Sequence, residues 1–450
     1  MYIYSEVSQK NDQVSTGRVR DMQFKREKYL KQLIERMHNG EIKVITGIRR
    51  CGKSYLLFNL FTEYLRSKGV DDEHIIALAL DDDINEKYRQ PQELSAFLRS
   101  KVKNASEKYY ILLDEIQFAI SKDELRNPDK PVRLYSVLNG LLRLPNVDIY
   151  VTGSNSKMLS KDIMTEFRGR GDAVEIHPLS FKEFFETVGG DRITAFEEYA
   201  VYGGLPQVWA KKSDESKFNY LQNLFREVYY KDIQERYNIE FPDILDELVD
   251  VLCSAIGSLT NASKLTNTLR SIKKSKVSND TIAGYLNFLT EAFMFHQAKR
   301  YDIKGKKYFE YPSKYYCEDI GLRNVHLNLR QQEETHIMEN IIYNDLRIKG
   351  YAVDVGVVKV VEIGADEKPH QKSCEIDFIA SKGIKKYYIQ SALTMNDREK
   401  AAQEARPLLA VNDFFRKIIV SKTPMKPWND ENGVLHIGLY DFLLNDDIFE

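Results

Sequence analysis

Apolar positions in the first third of the chain alternate between two rhythms. Within Phe24–Met37, Tyr29, Leu30, Leu33, Ile34 and Met37 recur at helical spacing and predict an amphipathic helix. Ile42, Val44 and Ile45 then form a short β-branched run, followed by a second helical stripe of Tyr55, Leu56, Leu57, Phe58 and Leu60. His74–Leu80 reads as a buried strand, Glu93–Val102 as a short helix, and Tyr109–Glu115 and Val147–Val151 as two further apolar strands. Strands separated by helices predict an α/β unit built on a parallel sheet. This unit spans 21–178, behind a polar, aperiodic arm at 1–20.

After Leu179 the pattern turns helical and stays so to about residue 295, broken by the sharp turn Tyr202–Pro206. Residues 179–243 read as a helical lid. Residues 244–325 order three helices before a hairpin: Ile244–Ile256, Lys264–Ser271, a third capped by Ser278, then Gln297–Glu310 turning at Gly305. That is winged-helix order. Residues 326–450 return to α/β. A helix Thr335–Lys349 starts at Thr335 as N-cap and leads into a strand pair within Gly350–Val358. A strand Glu375–Ala380, a turn at Ser381–Gly383 and a partner strand Lys386–Ala392 follow. A helix from Arg398 stops at Pro407, and Lys417–Ser421 is the last strand.

At 450 residues the chain is long enough for two to four domains, and 43% hydrophobic with 29% charged residues is globular composition. A net charge of -2 attracts neither nucleic acid nor membrane globally, so any such contact must be a local patch. Cys51, Cys253, Cys317 and Cys374 are widely spaced, which argues against a zinc site or disulfide framework and fits a reducing cytoplasm. No apolar run approaches the ~18 residues of a membrane span, and the N-terminus lacks a signal pattern. The expectation is a soluble, cytoplasmic protein without a membrane partner.

The chemistry concentrates between the first strand and the second helical stripe. Gly47-Ile48-Arg49-Arg50-Cys51-Gly52-Lys53-Ser54 fits G-x-x-x-x-G-K-[ST], the phosphate-binding loop, in the strand–loop–helix context it requires. The two glycines let consecutive N–H groups turn toward an anion, Lys53 brings charge to the β/γ-phosphates, and the Ser54 hydroxyl is a ligand for Mg2+. Tyr55 opens the helix whose N-terminal dipole faces the same phosphates. Arg49 and Arg50 either face phosphate or pair with Asp81–Asp83. The strand ending Asp114-Glu115 has the Walker B arrangement, with Asp114 in the Mg2+ shell and Glu115 polarising the attacking water. Ser154 and Asn155 follow the next strand and are candidates to touch the γ-phosphate or the lytic water; a hydrogen-bonded turn is the plain alternative. Of the loop arginines Arg168 and Arg170, Arg170 is the candidate to stabilise phosphoryl charge, in its own subunit or a neighbour's. No Asn-Lys-x-Asp guanine reader is present, which favours ATP.

Two further constellations lie downstream. Lys264, Arg270, Lys273, Lys274 and Lys276 occur with no acid between Asn261 and Asn279, and the hairpin adds Lys299, Arg300, Lys304, Lys306 and Lys307. Such clusters suit phosphate contacts to duplex DNA, though solvated basic faces look the same. Glu339 on a helix, Asp377 on a strand and Gln390 on its partner follow the order of a restriction-endonuclease-like core. There the last strand normally reads Glu-x-Lys, but Ala392 stands at the lysine position and no lysine replaces it. Without that cation, metal-dependent cleavage is not expected, and a retired nuclease fold used for packing or binding is the preferred reading.

Together VITGIRRCGKS (Val44–Ser54), ILLDEIQ (Ile111–Gln117), VTGSNSKML (Val151–Leu159), FRGR (Phe167–Arg170), HPLSFKEF (His177–Phe184) and EIDFIA…YYIQ (Glu375–Gln390) resemble prokaryotic AAA-type ATPases that carry a C-terminal domain of unknown function. The resemblance implies ATP binding and Mg2+-dependent hydrolysis by an AAA-like core, a winged-helix middle and a restriction-endonuclease-like end. Two roles remain open: a DNA-associated switch or motor, and a nucleotide-gated regulatory or scaffold protein acting through a protein partner or self-association.

Overall fold

The computed structural model describes residues 23–121, 123–124, 130–154, 167, 169–226, 233–234, 237, 239–273, 277–363, 369–395 and 398–449. The chain divides into two units, Met1–His177 and Pro178–Glu450. In the first, strands β1 (Ile42–Thr46), β2 (Ile75–Ala79), β3 (Tyr109–Asp114), β4 (Val147–Gly153) and β5 (Gly171–Glu175) form one sheet in the order β2-β3-β4-β1-β5. Every pairing is parallel. β1, β3 and β4 are buried along their whole length, as their continuous apolar runs require when helices cover both faces.

The helix predicted over Phe24–Met37 spans Glu27–Glu35 and buries Tyr29 and Leu33. A helix absent from the sequence reading, Arg133–Leu141, buries Leu134, Tyr135, Leu138 and Leu141 in the same core as Leu94, Leu98 and the strand residues Ile111 and Ile149. One charge pair lies inside this unit. The Lys43 ammonium bonds the Asp148 carboxylate, which also accepts from Tyr150 Oη at 2.9 Å and His38 N–H at 3.1 Å. Lys43 and Asp148 are almost fully buried and tie β1 to β4, so removing either partner alone costs about 3–5 kcal/mol.

The second unit begins with the helices Phe181–Val188, Arg192–Tyr202, Pro206–Trp209 and Asp214–Asn223. The break at Tyr202–Pro206 has a steric cause: a Cβ on Gly204 would lie 2.2 Å from the Leu179 carbonyl oxygen. Helices Pro242–Ser254, Ala262–Lys273 and Asn279–Glu291 follow, the last capped by Ser278, whose hydroxyl accepts from Thr281 N–H at 3.1 Å. Then come β6 (Phe295–Asp302), β7 (Lys307–Cys317), β8 (Ala352–Ile363), β9 (Pro369–Lys382), β10 (Lys385–Ala392), β11 (Arg416–Ser421), β12 (Trp428–Asn429) and β13 (Leu435–Gly438). All eight belong to one mixed sheet ordered β12-β13-β11-β10-β9-β8-β6-β7.

That sheet changes the reading of the hairpin. β6 pairs antiparallel with β7 and parallel with β8, at Arg300–Val355, Tyr301–Gly356 and Asp302–Val357. The β6–β7 hairpin is therefore not a free wing, and the sheet runs across the seam drawn at 325/326. Three smaller expectations also change. Gly350–Val358 holds no strand pair, because β8 is one strand from Ala352 to Ile363. The helix Glu334–Ile348 starts behind Glu333, so Thr335 lies inside it rather than capping it. The helix Arg398–Leu409 runs past Pro407, which sits in the last turn and forfeits only one backbone hydrogen bond. No helix among the described residues is long and apolar enough to cross a membrane.

Candidate nucleotide site

β1 delivers the chain to Gly47 at the carboxyl edge of the parallel sheet, where such folds place ligands. Gly47 has φ +143°, and a Cβ there would fall 2.0 Å from the Ile176 carbonyl oxygen, so only glycine fits. The loop is held from behind: Ile176 N–H donates to the Thr46 carbonyl at 2.7 Å and the Cys51 thiol to the Ile176 carbonyl at 3.4 Å. Ile48 and Cys51 are fully buried, so their side chains anchor the loop and only their backbone is offered to a ligand. Arg50, at φ +63°, is exposed, and Gly52, at φ +103°, starts the helix. Lys53 is buried, and its ammonium donates across the loop to the Gly47 and Ile48 carbonyls at 3.0 and 3.1 Å. Tyr55 is half-buried in the first turn. The helix continues through a π-wound stretch, Leu56–Phe61, into Thr62–Ser67.

β3 brings the acids to the same edge. Asp114 is buried, and the Ser54 hydroxyl is close enough to favour its charged form. Burial, then the neighbouring Glu115 charge, push the Asp114 carboxyl up to about 6, against the favourable influence of the Ser54 and Thr152 hydroxyls and the pull of Lys53. Glu115 stands at φ +51°. Its backbone N–H donates to Thr152 Oγ1 at 3.0 Å, while the same hydroxyl donates to Asp114 Oδ1. Gln117 Nε2 donates to Glu115 Oε2 and lies 3.5 Å from Ser154 Oγ. Thr152 and Gln117 were missed in the sequence. Thr152 sits within the apolar run of β4, and Gln117 two residues past the acids, where nothing but position marks them.

The Ser54 hydroxyl and Asp114 carboxylate are hard oxygen donors beside a phosphate-binding loop. This suits Mg2+, which takes one or two protein oxygens and completes its shell with water and phosphate. Among the described residues no cluster of three His, Cys, Asp or Glu side chains is built to hold a metal by protein ligands alone.

Other candidates fall elsewhere. Asn155 and Arg168 lie outside the described residues. Arg170 is exposed, but its backbone carbonyl accepts from Ile42 N–H at 2.7 Å, at the start of β1. At ~3.3 Å per residue, five strand residues put it about 16 Å from Gly47, at the opposite edge of the sheet. A role on this chain's own phosphates is thereby removed. The acidic stretch is held by Arg89, which donates to the Leu80, Asp81 and Asp82 carbonyls.

In the second unit, Lys306 and Lys307 are exposed at the hairpin turn, Lys273 ends its helix, and Lys274 and Lys276 lie outside the described residues. Arg270 donates to the Val277 carbonyl at 3.0 and 2.8 Å. Glu339, Asp377 and Gln390 do converge: Gln390 Oε1 accepts from Asp377 N–H at 3.4 Å, and Lys314 reaches both acids. The lysine lying against these acids comes from β7 and not from the motif strand, which sequence spacing does not show.

Residues 39–185 match the AAA domain family, and residues 193–333 match a domain of unknown function. An uncharacterized protein of Haemophilus influenzae is 34% identical over 424 residues, covering 93% of this chain and 98% of its own. An uncharacterized protein of Methanocaldococcus jannaschii is 28% identical over 391 residues, covering 83% and 80%. A solved Walker-type ATPase of Pyrococcus abyssi is similar over 68% of this chain and 97% of its own, at 17% identity and a TM-score of 0.47.

Proposed function

The chain belongs to one family with the Haemophilus influenzae protein and carries an AAA domain followed by a domain of unknown function; from that premise we propose that it is a Mg2+-dependent ATP hydrolase. What supports this reading is that the phosphate loop, with Lys53 folded across it, and the acidic strand end Asp114–Glu115, pinned by Thr152, lie at the same edge of the parallel sheet, close enough for Ser54 and Lys53 to pull down the Asp114 pKa. Loop amides and the Lys53 ammonium bind the β/γ-phosphates. Ser54 and Asp114 would hold Mg2+, which when bound would supply positive charge against that of the β/γ-phosphates. The Glu115 carboxylate orients a water for in-line attack and takes up its proton, with Gln117 fixing its side-chain position.

Arg170 enters as a residue for a neighbouring copy's site, since its own is out of reach. Duplex DNA is proposed as a partner on the strength of the exposed Lys306 and Lys307. The test is steady-state ATP turnover with Mg2+, with and without duplex DNA, for wild type, Lys53→Ala and Glu115→Gln. Turnover lost in both variants supports hydrolysis at this site, and stimulation by DNA supports the DNA-associated switch. Turnover indifferent to DNA assigns the chain to the nucleotide-gated scaffold class. Turnover that survives Lys53→Ala would refute the site.

A further inference from the structure

Four charged groups lie together in the second unit. Lys314, on β7, places its Nζ 2.8 Å from Glu339 Oε1, 2.7 Å from Glu375 Oε1 and 3.8 Å from Asp377 Oδ1. Glu339 comes from the helix Glu334–Ile348, and the other two acids from β9. The cluster is closed on most sides: the side chains of Lys314, Glu339 and Asp377 are 5%, 8% and 13% exposed, and Glu375 forms its rim at 29%. Glu339 and Asp377 are also fixed independently of the lysine. Glu339 accepts from Tyr316 Oη at 2.6 Å and lies 3.3 Å from where Gly257, at φ +70°, would carry a Cβ. Asp377 accepts from Ser391 N–H at 2.8 Å.

Three carboxylates around one point are too many for one another without a cation, and here a cation sits among them. Burial works against the Lys314 charge, but Glu339, Asp377 and Glu375 outweigh it and hold its pKa above the usual lysine value. Burial and then Glu339 push the Asp377 carboxyl up to about 8, against the pull of Lys314. Carboxylates ordinarily suit a divalent cation, but with Lys314 between them these three are not set to hold one. A substrate phosphodiester would need an open approach, which the burial of three of the four groups denies.

We propose that the Glu339–Glu375–Asp377 cluster is a cation site filled from within the chain by Lys314, whose ammonium excludes divalent metal from the second unit. The site is then structural, joining β7, β9 and the helix Glu334–Ile348, and it performs no metal-dependent phosphodiester cleavage.

The test is a Mn2+ titration of nucleotide-free, full-length protein, with bound metal counted by electron paramagnetic resonance and plasmid cleavage followed in parallel. Wild type and Asp377→Asn are expected to give the same binding curve and no cleavage. Lys314→Met, which keeps the stem and removes the charge, is expected to gain one bound Mn2+ per chain. Lys314→Met/Asp377→Asn should lose it again. Folding of Lys314→Met only in the presence of Mn2+, judged by circular dichroism, also supports the proposal. Lys314→Met/Glu375→Gln removes one charge of each sign and is the variant for the same measurement if the single substitution does not fold. Mn2+ bound by wild type and released by Asp377→Asn overturns the proposal. Wild-type cleavage abolished by Asp377→Asn overturns it too, as does a folded Lys314 variant that gains no metal.

Discussion

Thr152 carries two jobs on one hydroxyl, and Thr152→Val separates them from its shape. The side chain is fully buried, donates to Asp114 Oδ1 and accepts from the Glu115 backbone N–H at 3.0 Å. Valine keeps the volume and removes both bonds. The Glu115 N–H is then unpaired in the interior, at a cost of about 1–3 kcal/mol. In a unit of this size that lowers melting by ~2–10 °C. Asp114 loses a donor to its charged form, a bond worth about 1.5–3 kcal/mol, which is roughly one to two further pKa units. Starting from about 6, the carboxyl then titrates near or above neutrality, and much of it is protonated when metal must bind. The sign is fixed: a carboxyl with a raised pKa is neutral below that value and regains its charge as pH rises. The assay is turnover against Mg2+ concentration at pH 7 and pH 9. Thr152→Val should need about tenfold more Mg2+ than wild type at pH 7 and approach it at pH 9. Thr152→Ser, which keeps the hydroxyl, should stay within about twofold. Wild-type Mg2+ dependence and melting in Thr152→Val would refute the reasoning, and so would a serine variant as impaired as the valine one.

Further outcomes follow from the same geometry. Gly47→Ala drives a methyl into the Ile176 carbonyl and should abolish binding of a fluorescent ATP analogue, whereas Gly40→Ala, with nothing within 4 Å, should keep binding and cost only ~1 kcal/mol for its positive φ. Mg2+-ATP binding should release up to about half a proton at pH 6, more at pH 5 and little by pH 8 where Asp114 is already ionised, as calorimetry in buffers of different ionisation enthalpy would register; Asp114→Asn should release none. Arg170→Ala and Lys53→Ala, each inactive alone, should regain part of the turnover when mixed, because one supplies an intact loop and the other an intact arginine. Failure of the mixture removes Arg170 from any neighbour's site.

The first unit was legible because its signals are local. Gly47 to Ser54 are consecutive, and the apolar runs feeding Gly47 and Asp114 need no partner to be read. Arg133–Leu141 escaped although Leu134, Leu138 and Leu141 have helical spacing, since Arg133, Asn139 and Gly140 dilute the stripe. For Arg170 the sequence left its own subunit and a neighbour's both open; the strand register, with Ile42 N–H bonded to its carbonyl, sets it at the far end of β1 from the phosphate loop. Lys314 illustrates the same limit. It stands in β7, 25 residues before Glu339, and the pairing that brings it there depends on strand order rather than on spacing. Sequence periodicity reports which face a residue takes, not which distant element that face will meet.

The place of β6 between β7 and β8 also imposes a waiting time during synthesis. β6 and β7 can zip as soon as both have left the ribosome, but the partner on the other side of β6 is not made until Ala352–Ile363, roughly 50 residues after Asp302. At ~5–20 residues per second, a bare strand edge stands open for about 3–10 s, long enough for two nascent chains to pair with each other. Lysines at such an edge repel a second copy and discourage that pairing. Lys299, Lys304, Lys306 and Lys307 crowd this hairpin. Whatever they touch in the finished protein, their charge guards the hairpin while it waits for β8.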